Sequence, residues 1–244
     1  MVTFNNAGRF GNWFMECATM IAYAIKHNLE FTVPTIENPF SPVYCLHLVN
    51  QKYNPQLEQI RLWESKHTYE ELPFEESWRD KNIIIEGYRQ SWKYFDDYRK
   101  EILYLLNFPY EKKEGVVGVH IRRGDYVWLT DKHPVVTKEW YEKAMSLFPG
   151  YRFKIFSDDI VWCLQNFGGR NDCEVSSSHD VTEDISSGAS CENNIISSST
   201  FGWAMGWLNR NPDKKVIIPD KWFVDNYHLD TSDIVPPYFT KLPL

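Results

Sequence analysis

Short apolar runs and helical stripes alternate along the chain from its first residues. Val2-Thr3-Phe4-Asn5 reads as a short extended start, followed by a loop at Gly8-Arg9-Phe10-Gly11-Asn12. Over residues 13–27 the apolar positions Trp13, Cys17, Met20, Ile21, Ala24 and Ile25 fall on one wide face at helical spacing, which predicts an amphipathic helix. A second strand is expected over 29–33, stopped by Pro34. From 35 to about 80 the pattern is irregular and broken by Pro39, Pro42, Pro55 and Pro73, with only Ile60-Arg61-Leu62-Trp63 strand-like. Residues 82–87, with Ile83-Ile84-Ile85, predict a buried strand. A helix over 91–106 follows, its stripe running through Phe95, Tyr98, Ile102 and Leu105.

After Pro109 the alternation restarts more regularly. Strands are expected at 116–121, 152–156, 173–175, 194–197 and 216–219, and helices at 138–148, 160–166, 183–191 and 201–208. The helix at 183–191 is weak, because Ser186, Ser187 and Gly188 are poor helix formers. Such alternation predicts an α/β fold with parallel sheets, in two Rossmann-like halves with a cleft between them. The charged stretch Glu111-Lys112-Lys113-Glu114 is a candidate linker and serves equally as a solvated loop within one domain. The expected division is 1–110, 111–225, and a tail at 226–244 packing back on the N-terminal half.

The 244 residues are enough to hide roughly 30,000 of about 42,000 Å² of chain surface, ample for a full core. The formal net charge of −7 argues against nucleic acid or an anionic membrane as partner, so any bound anion needs a local cluster of positive groups. No apolar run reaches 18 residues, and we expect neither signal peptide nor membrane-spanning helix. Cys17, Cys45, Cys163, Cys173 and Cys191 are odd in number, scattered and without a C-x-x-C pair. That predicts reduced thiols, no zinc site and a cytoplasmic location. Aromatic residues make up 16% of the chain; Trp and Tyr fill cores but also stack on sugar and base faces.

Four segments carry candidate chemistry. In Gly118-Val119-His120-Ile121-Arg122-Arg123-Gly124-Asp125-Tyr126 a buried strand ends in two arginines and a glycine turn, where open α/β sheets bind ligands. Two guanidiniums there can fork onto phosphate oxygens, or pair with carboxylates such as Asp125 in an ordinary surface loop. In Asn194-Ile195-Ile196-Ser197-Ser198-Ser199-Thr200-Phe201-Gly202-Trp203 a strand runs through hydroxyls into a helix. Its first turn offers free N–H groups to an anion, or the hydroxyls simply cap it. Gly202 and Gly206 give that helix a smooth face for close packing on the sheet. In Ile155-Phe156-Ser157-Asp158-Asp159 one carboxylate could accept from a base or ribose and the other cap a helix. Gly8-Arg9-Phe10-Gly11-Asn12 allows close backbone approach but is not a dinucleotide G-x-G-x-x-G. Together they describe a phosphate and nucleotide site without metal.

His120-Ile121-Arg122-Arg123-Gly124-Asp125 resembles the His-x-Arg-Arg-Gly-Asp motif of the α-1,2-fucosyltransferases, glycosyltransferase family 11. Phe156-Ser157-Asp158-Asp159 and the run from Asn194 to Leu208 look like that family's next two motifs, in the right order. The loop at Gly8 to Asn12 is similar to its N-terminal glycine loop and to that of protein O-fucosyltransferases in the same superfamily. The resemblance implies a GT-B fold with GDP-β-L-fucose as donor and inverting transfer to an oligosaccharide or glycoconjugate, α-1,2 to galactose, with no cofactor or metal. It implies that Arg122 holds the diphosphate, with Arg123 beside it, that His120 lies against the nucleotide, and that Asp158 or Asp159 recognises guanine or ribose. Ser199, Thr200 and the Phe201 amide would cradle the β-phosphate, while Arg9, Phe10, Gly11 and Asn12 close the donor site. Protein O-fucosylation and a non-catalytic GDP-sugar or glycan binder are the competing readings.

Overall fold

The computed structural model describes residues 1–5, 8–34, 43–178 and 180–244. They divide into two units, Met1–Phe108 with Asp230–Pro236 and Pro109–Leu229 with Pro237–Leu244.

The first unit begins with β1 (Val2–Phe4) and α1 (Phe10–His27), continues through β2 (Gln59–Leu62) and β3 (Asn82–Ile85), and ends in α2 (Arg99–Leu106). The three strands are parallel in the order β1-β3-β2. Central β3 is buried at every residue, which suits its unbroken isoleucine run. Helix α1 starts earlier than its periodicity predicts, at Phe10, and stops at Asn28, whose left-handed φ of 51° returns its N–H to the Ala24 and Ile25 carbonyls.

Two expectations fail locally. The strand expected at 29–33 shrinks to one bridge, Phe31 to Val2, because the Val33 N–H turns away to the Leu48 carbonyl at 3.2 Å just before Pro34. The helix expected over 91–106 begins as two 3-10 turns, Trp92–Tyr94 and Asp96–Tyr98, separated by Phe95 at φ −144°, outside the helical region. Phe95 and Ile102 are nonetheless fully buried, as their stripe predicts. Part of the irregular region, 35–42 with Pro39 and Pro42, lies outside the described residues.

The second unit runs β4 (Lys113–Ile121), α3 (Lys138–Met145), β5 (Arg152–Ser157), α4 (Ile160–Phe167), β6 (Cys173–Val175), α5 (Val181–Ala189), β7 (Cys191–Ile196), α6 (Thr200–Leu208), β8 (Val216–Pro219) and β9 (Thr240–Leu242). All six strands are parallel, in the order β6-β5-β4-β7-β8-β9. Counted from β4 this is the doubly wound order 3-2-1-4-5-6. The charged stretch at 111–114 belongs to this unit, since Lys113 and Glu114 open β4 and the Lys113 N–H donates to the Ser190 carbonyl.

The pleat of β4 sends alternate residues to opposite faces. Val117, Val119 and Ile121 join Trp140, Tyr141 and Ala144 of α3 and Cys163 and Phe167 of α4 in one core. Gly118 and His120 face the other way, toward α5 and α6; a Cβ on Gly118 would meet the Asn194 amide at 2.9 Å and the Gly188 carbonyl at 3.0 Å. The paired glycines of α6 pack as expected: a Cβ on Gly206 would sit 2.8 Å from Val216 on β8.

The end of the chain does not stay in one place. Asp230–Pro236 belongs to the first unit, where Asp233 accepts the Tyr69 N–H at 2.8 Å, and Pro237–Leu244 returns to the second. The cause of the return is β9, a strand absent from our sequence reading, which pairs with β8 and receives the Trp140 indole N–H on the Leu242 carbonyl.

Candidate donor site at the switch point of the second unit

Strand order reverses between β4 and β7, and the carboxyl ends of these strands form the crevice where doubly wound sheets take ligands. Register brings three of the four sequence segments to that edge: His120 lies opposite Ile196 of β7 and Phe156 of β5, and Ile121 lies opposite Ser157. Each strand ends where its apolar run ends, so the polar residues that follow emerge together.

Arg122 is largely covered, with 13% of its side chain exposed. Its guanidinium donates to Asp158 and to Asp125 and lies 5.0 Å over the Tyr126 ring. Tyr126 in turn stacks on His133 at 3.9 Å and 12°, and His133 lies 5.3 Å from Phe223. Burial, then Lys132, lowers the pKa of His133 to about 4, so this stack stays neutral beneath the arginine at physiological pH. Arg123 donates from Nε to Asp159 at 3.1 Å and sits 4.2 Å over the Trp162 ring. Its backbone N–H donates to Asp158 at 2.9 Å. Gly124 is required by this crowding, since a Cβ there would lie 2.2 Å from Asp158 Oδ2.

The two adjacent carboxylates therefore have separate work. Asp159 caps α4 by accepting the Trp162 N–H at 3.0 Å while holding Arg123, and Asp158 bridges Arg122 and the Arg123 backbone. Both are tied to arginines.

His120 is buried, and its Nδ1 lies 2.9 Å from the Ser197 hydroxyl. Burial, then the neighbouring Arg122, lowers its pKa to about 3, which leaves a neutral imidazole. Its ring lies 5.1 Å from that of Phe201, and a Cβ on Gly202 would fall 2.6 Å from Nδ1. On the adjoining turn the Ser199 N–H closes onto the Ser197 carbonyl at 2.8 Å, and the Ser198 hydroxyl donates to the Lys221 carbonyl at 2.5 Å. Ser199 occupies the cap position of α6 in extended conformation, yet its side chain makes no capping hydrogen bond. The first-turn amides of Thr200, Phe201 and Gly202 have no carbonyl of the same helix to bond, so α6 presents a positive end at this edge.

The fourth segment lies in the first unit. Arg9 is the residue preceding α1, and Phe10 belongs to the core, stacked on Trp13 at 6.0 Å and edge-on to Phe108. Gly11 is buried, whereas Asn12 is half-buried and accepts from the Gln90 amide at 3.0 Å. Gly8 sits at φ +80°, where a Cβ would also fall 2.8 Å from the Asn12 amide.

Our sequence reading passed over Tyr126, His133, Trp162 and Phe223 as parts of the site. Tyr126 was legible, since it closes the arginine motif. The others come from segments with no motif and reach the edge only through the fold.

Fold and edge together define an α/β protein with a doubly wound parallel sheet and an arginine-rich switch point. The description of glycosyl transferase family 11 matches residues 105–237, more than half of the chain, and the chain belongs to that family. It is similar to the O-antigen biosynthesis glycosyltransferase WbnK of Escherichia coli, 34% identical over 45% of this chain and 39% of the relative. It is also similar to galactoside alpha-(1,2)-fucosyltransferase 2 of Rattus norvegicus, 27% identical over 84% of this chain and 66% of the relative. A third relative, the alpha-1,2-colitosyltransferase of Escherichia coli, is 27% identical over 64% of this chain and 61% of its own length. The chain thus spans about two fifths to two thirds of these curated relatives. A solved structure of NodZ alpha-1,6-fucosyltransferase soaked with GDP-fucose shares the fold at a TM-score of 0.50 and 16% identity, covering 92% of this chain and 99% of that one.

The expected cytoplasmic location is not supported by these relatives, and it is withdrawn. The five cysteines are all free, but free thiols do not by themselves fix a compartment. Among the described residues no helix is long and apolar enough to cross a membrane, and no three His, Cys, Asp or Glu side chains cluster as metal ligands.

Proposed function

We propose that this chain is an inverting fucosyltransferase that moves L-fucose from GDP-β-L-fucose to a hydroxyl of a glycan, forming an α-1,2 linkage to galactose. The observation that carries the reading is Arg122, held by two carboxylates over an aromatic ring at the switch point. The names of the galactoside fucosyltransferases suggest the sugar and the linkage, and that of the colitosyltransferase has the same α-1,2 linkage with another sugar.

Breaking the sugar–phosphate bond puts negative charge on the departing diphosphate and oxocarbenium character on fucose. A guanidinium has five N–H donors, so Arg122 can keep its carboxylates and still meet phosphate oxygens. Ser199, Thr200 and the Phe201 amide supply further donors at the helix end. Fixed in advance, such donors stabilise the leaving group by about 3 kcal/mol, as in an oxyanion hole. Inversion needs one displacement by the acceptor hydroxyl and no covalent intermediate. His120, neutral and buried, packs against the nucleotide instead of pairing with phosphate. Asp158 and Asp159 are read as the groups that hold Arg122 and Arg123. The first unit is read as the acceptor half and the second as the donor half of a GT-B enzyme.

The test is calorimetric titration with GDP, using ADP and UDP as controls and EDTA in the buffer. Selective GDP binding is expected, and its absence would overturn the donor site. Transfer to lactose, followed by linkage analysis and run with both GDP-fucose and the corresponding colitose nucleotide, then fixes the sugar.

A further inference from the structure

The first unit has a second built edge that the donor residues leave unused. β2 and β3 end side by side, Leu62 opposite Ile85, and the chain leaving each strand carries an exposed aromatic residue: Trp63 at 67% and Tyr88 at 43%. The two exits are locked to each other. Glu64, next to Trp63, accepts the N–H groups of Tyr88 at 3.0 Å and Arg89 at 2.9 Å. Arg89, next to Tyr88, is fully buried and donates at 2.6 Å to the carbonyl of Leu62, the residue before Trp63. It also reaches Glu70 and the Tyr94 hydroxyl, both at 3.2 Å.

This turn is costly to make. Gly87 sits at φ +91°, where a Cβ would fall 2.3 Å from the Glu64 side chain, and Arg89 takes φ +49°, a left-handed conformation rare for a residue of its size. A buried arginine and a carboxylate thus fix the backbone segments that carry two exposed rings. One residue further on, Gln90 donates to Asn12, which brings neutral amides to the same edge.

We propose that Trp63 and Tyr88 are a platform for the acceptor sugar, receiving the C–H face of a galactopyranose, with the Gln90 amide at the rim for its hydroxyls. This rests on the glycosyltransferase reading above and names the acceptor side of that enzyme. The C–H hydrogens on one face of galactose are weakly positive and meet the negative faces of aromatic rings. Amides, which both donate and accept, suit hydroxyls.

Saturation-transfer NMR and titration with methyl β-galactoside test it on the whole chain, beside GDP calorimetry of the same samples. Trp63→Ala and Tyr88→Ala should each weaken galactoside binding about tenfold, Trp63→Phe should recover most of it, and GDP affinity should stay within about twofold throughout. Unchanged galactoside binding in both alanine variants, or none in the parent protein, would overturn the platform. So would GDP affinity falling in parallel, which would mark general disruption. Galactoside binding that depends on both rings in a protein that ignores GDP would support the platform while removing the donor reading.

Discussion

Replacing Arg122 with alanine separates its two roles, in the fold and in the chemistry. Its partners are exposed, Asp158 at 29% and Asp125 at 42%, so each pair sits where water screens it and contributes about 1 kcal/mol or less to stability. Asp158 also keeps the Arg123 N–H. With two such pairs lost, the melting temperature of Arg122→Ala should therefore fall by no more than about 8 °C. Turnover should fall far more, by about 10²- to 10³-fold, the effect of removing one preorganised donor from a developing anion. Arg122→Lys should recover the melting temperature but not the rate, since an ammonium keeps the charge and loses the fork. Thermal melts and initial rates of fucose transfer at saturating acceptor measure both. Turnover of Arg122→Ala above about a tenth of the parent value would refute the diphosphate role, because no oxyanion-type contact is that weak.

Two further outcomes follow from the packing around His120. Gly202→Ala places a methyl group 2.6 Å from His120 Nδ1 and 3.1 Å from Ile196 Cβ, an overpacking that should cost about 1–3 kcal/mol in denaturant unfolding. Wild-type stability in that variant would show that α6 is free to shift. With its folded pKa lowered to about 3 from an ordinary 6.5, His120 contributes stability that is complete above pH 6.5 and lost as pH falls toward 3. The slope approaches about 1.4 kcal/mol per pH unit in that window. His120→Asn, which keeps a partner for Ser197 without titrating, should flatten the acid limb, and an identical slope in both proteins would exclude His120 as its source.

The second unit was legible because strand-like and helix-like segments alternate regularly along it, and because three of the chemical segments begin where the apolar ends of β4, β5 and β7 stop. Register in a parallel sheet then does the assembly: once β4, β5 and β7 pair, Arg122, Asp158 and Ser197 have nowhere to go but one edge. What periodicity does not encode is closure by non-local hydrogen bonds. β9 is three residues long and owes its existence to β8 and Trp140. The stretch from 91 to 98 has a helical stripe, yet Phe95 leaves helical geometry to bury its ring fully. Phe10 was assigned to ligand from its place in a glycine loop, although an aromatic residue one position into a helix is as well used against Trp13. Cysteine scatter was asked to report a cellular compartment, a property that packing does not constrain.

The charge balance at the switch point explains why arginine is needed there. The chain as a whole is acidic, and at this edge three carboxylates, Asp125, Asp158 and Asp159, face two guanidiniums. A lone positive field would draw a diphosphate from a distance, but this arrangement does not supply one. On the proposed reading, recognition comes from direction, through N–H groups of Arg122 beyond the two engaged by carboxylates. The carboxylates that cancel the charge are also what hold each guanidinium plane over Tyr126 or Trp162, so orientation and neutralisation have a common origin. An ammonium, free to rotate and without a plane, could be neutralised in the same way but not aimed.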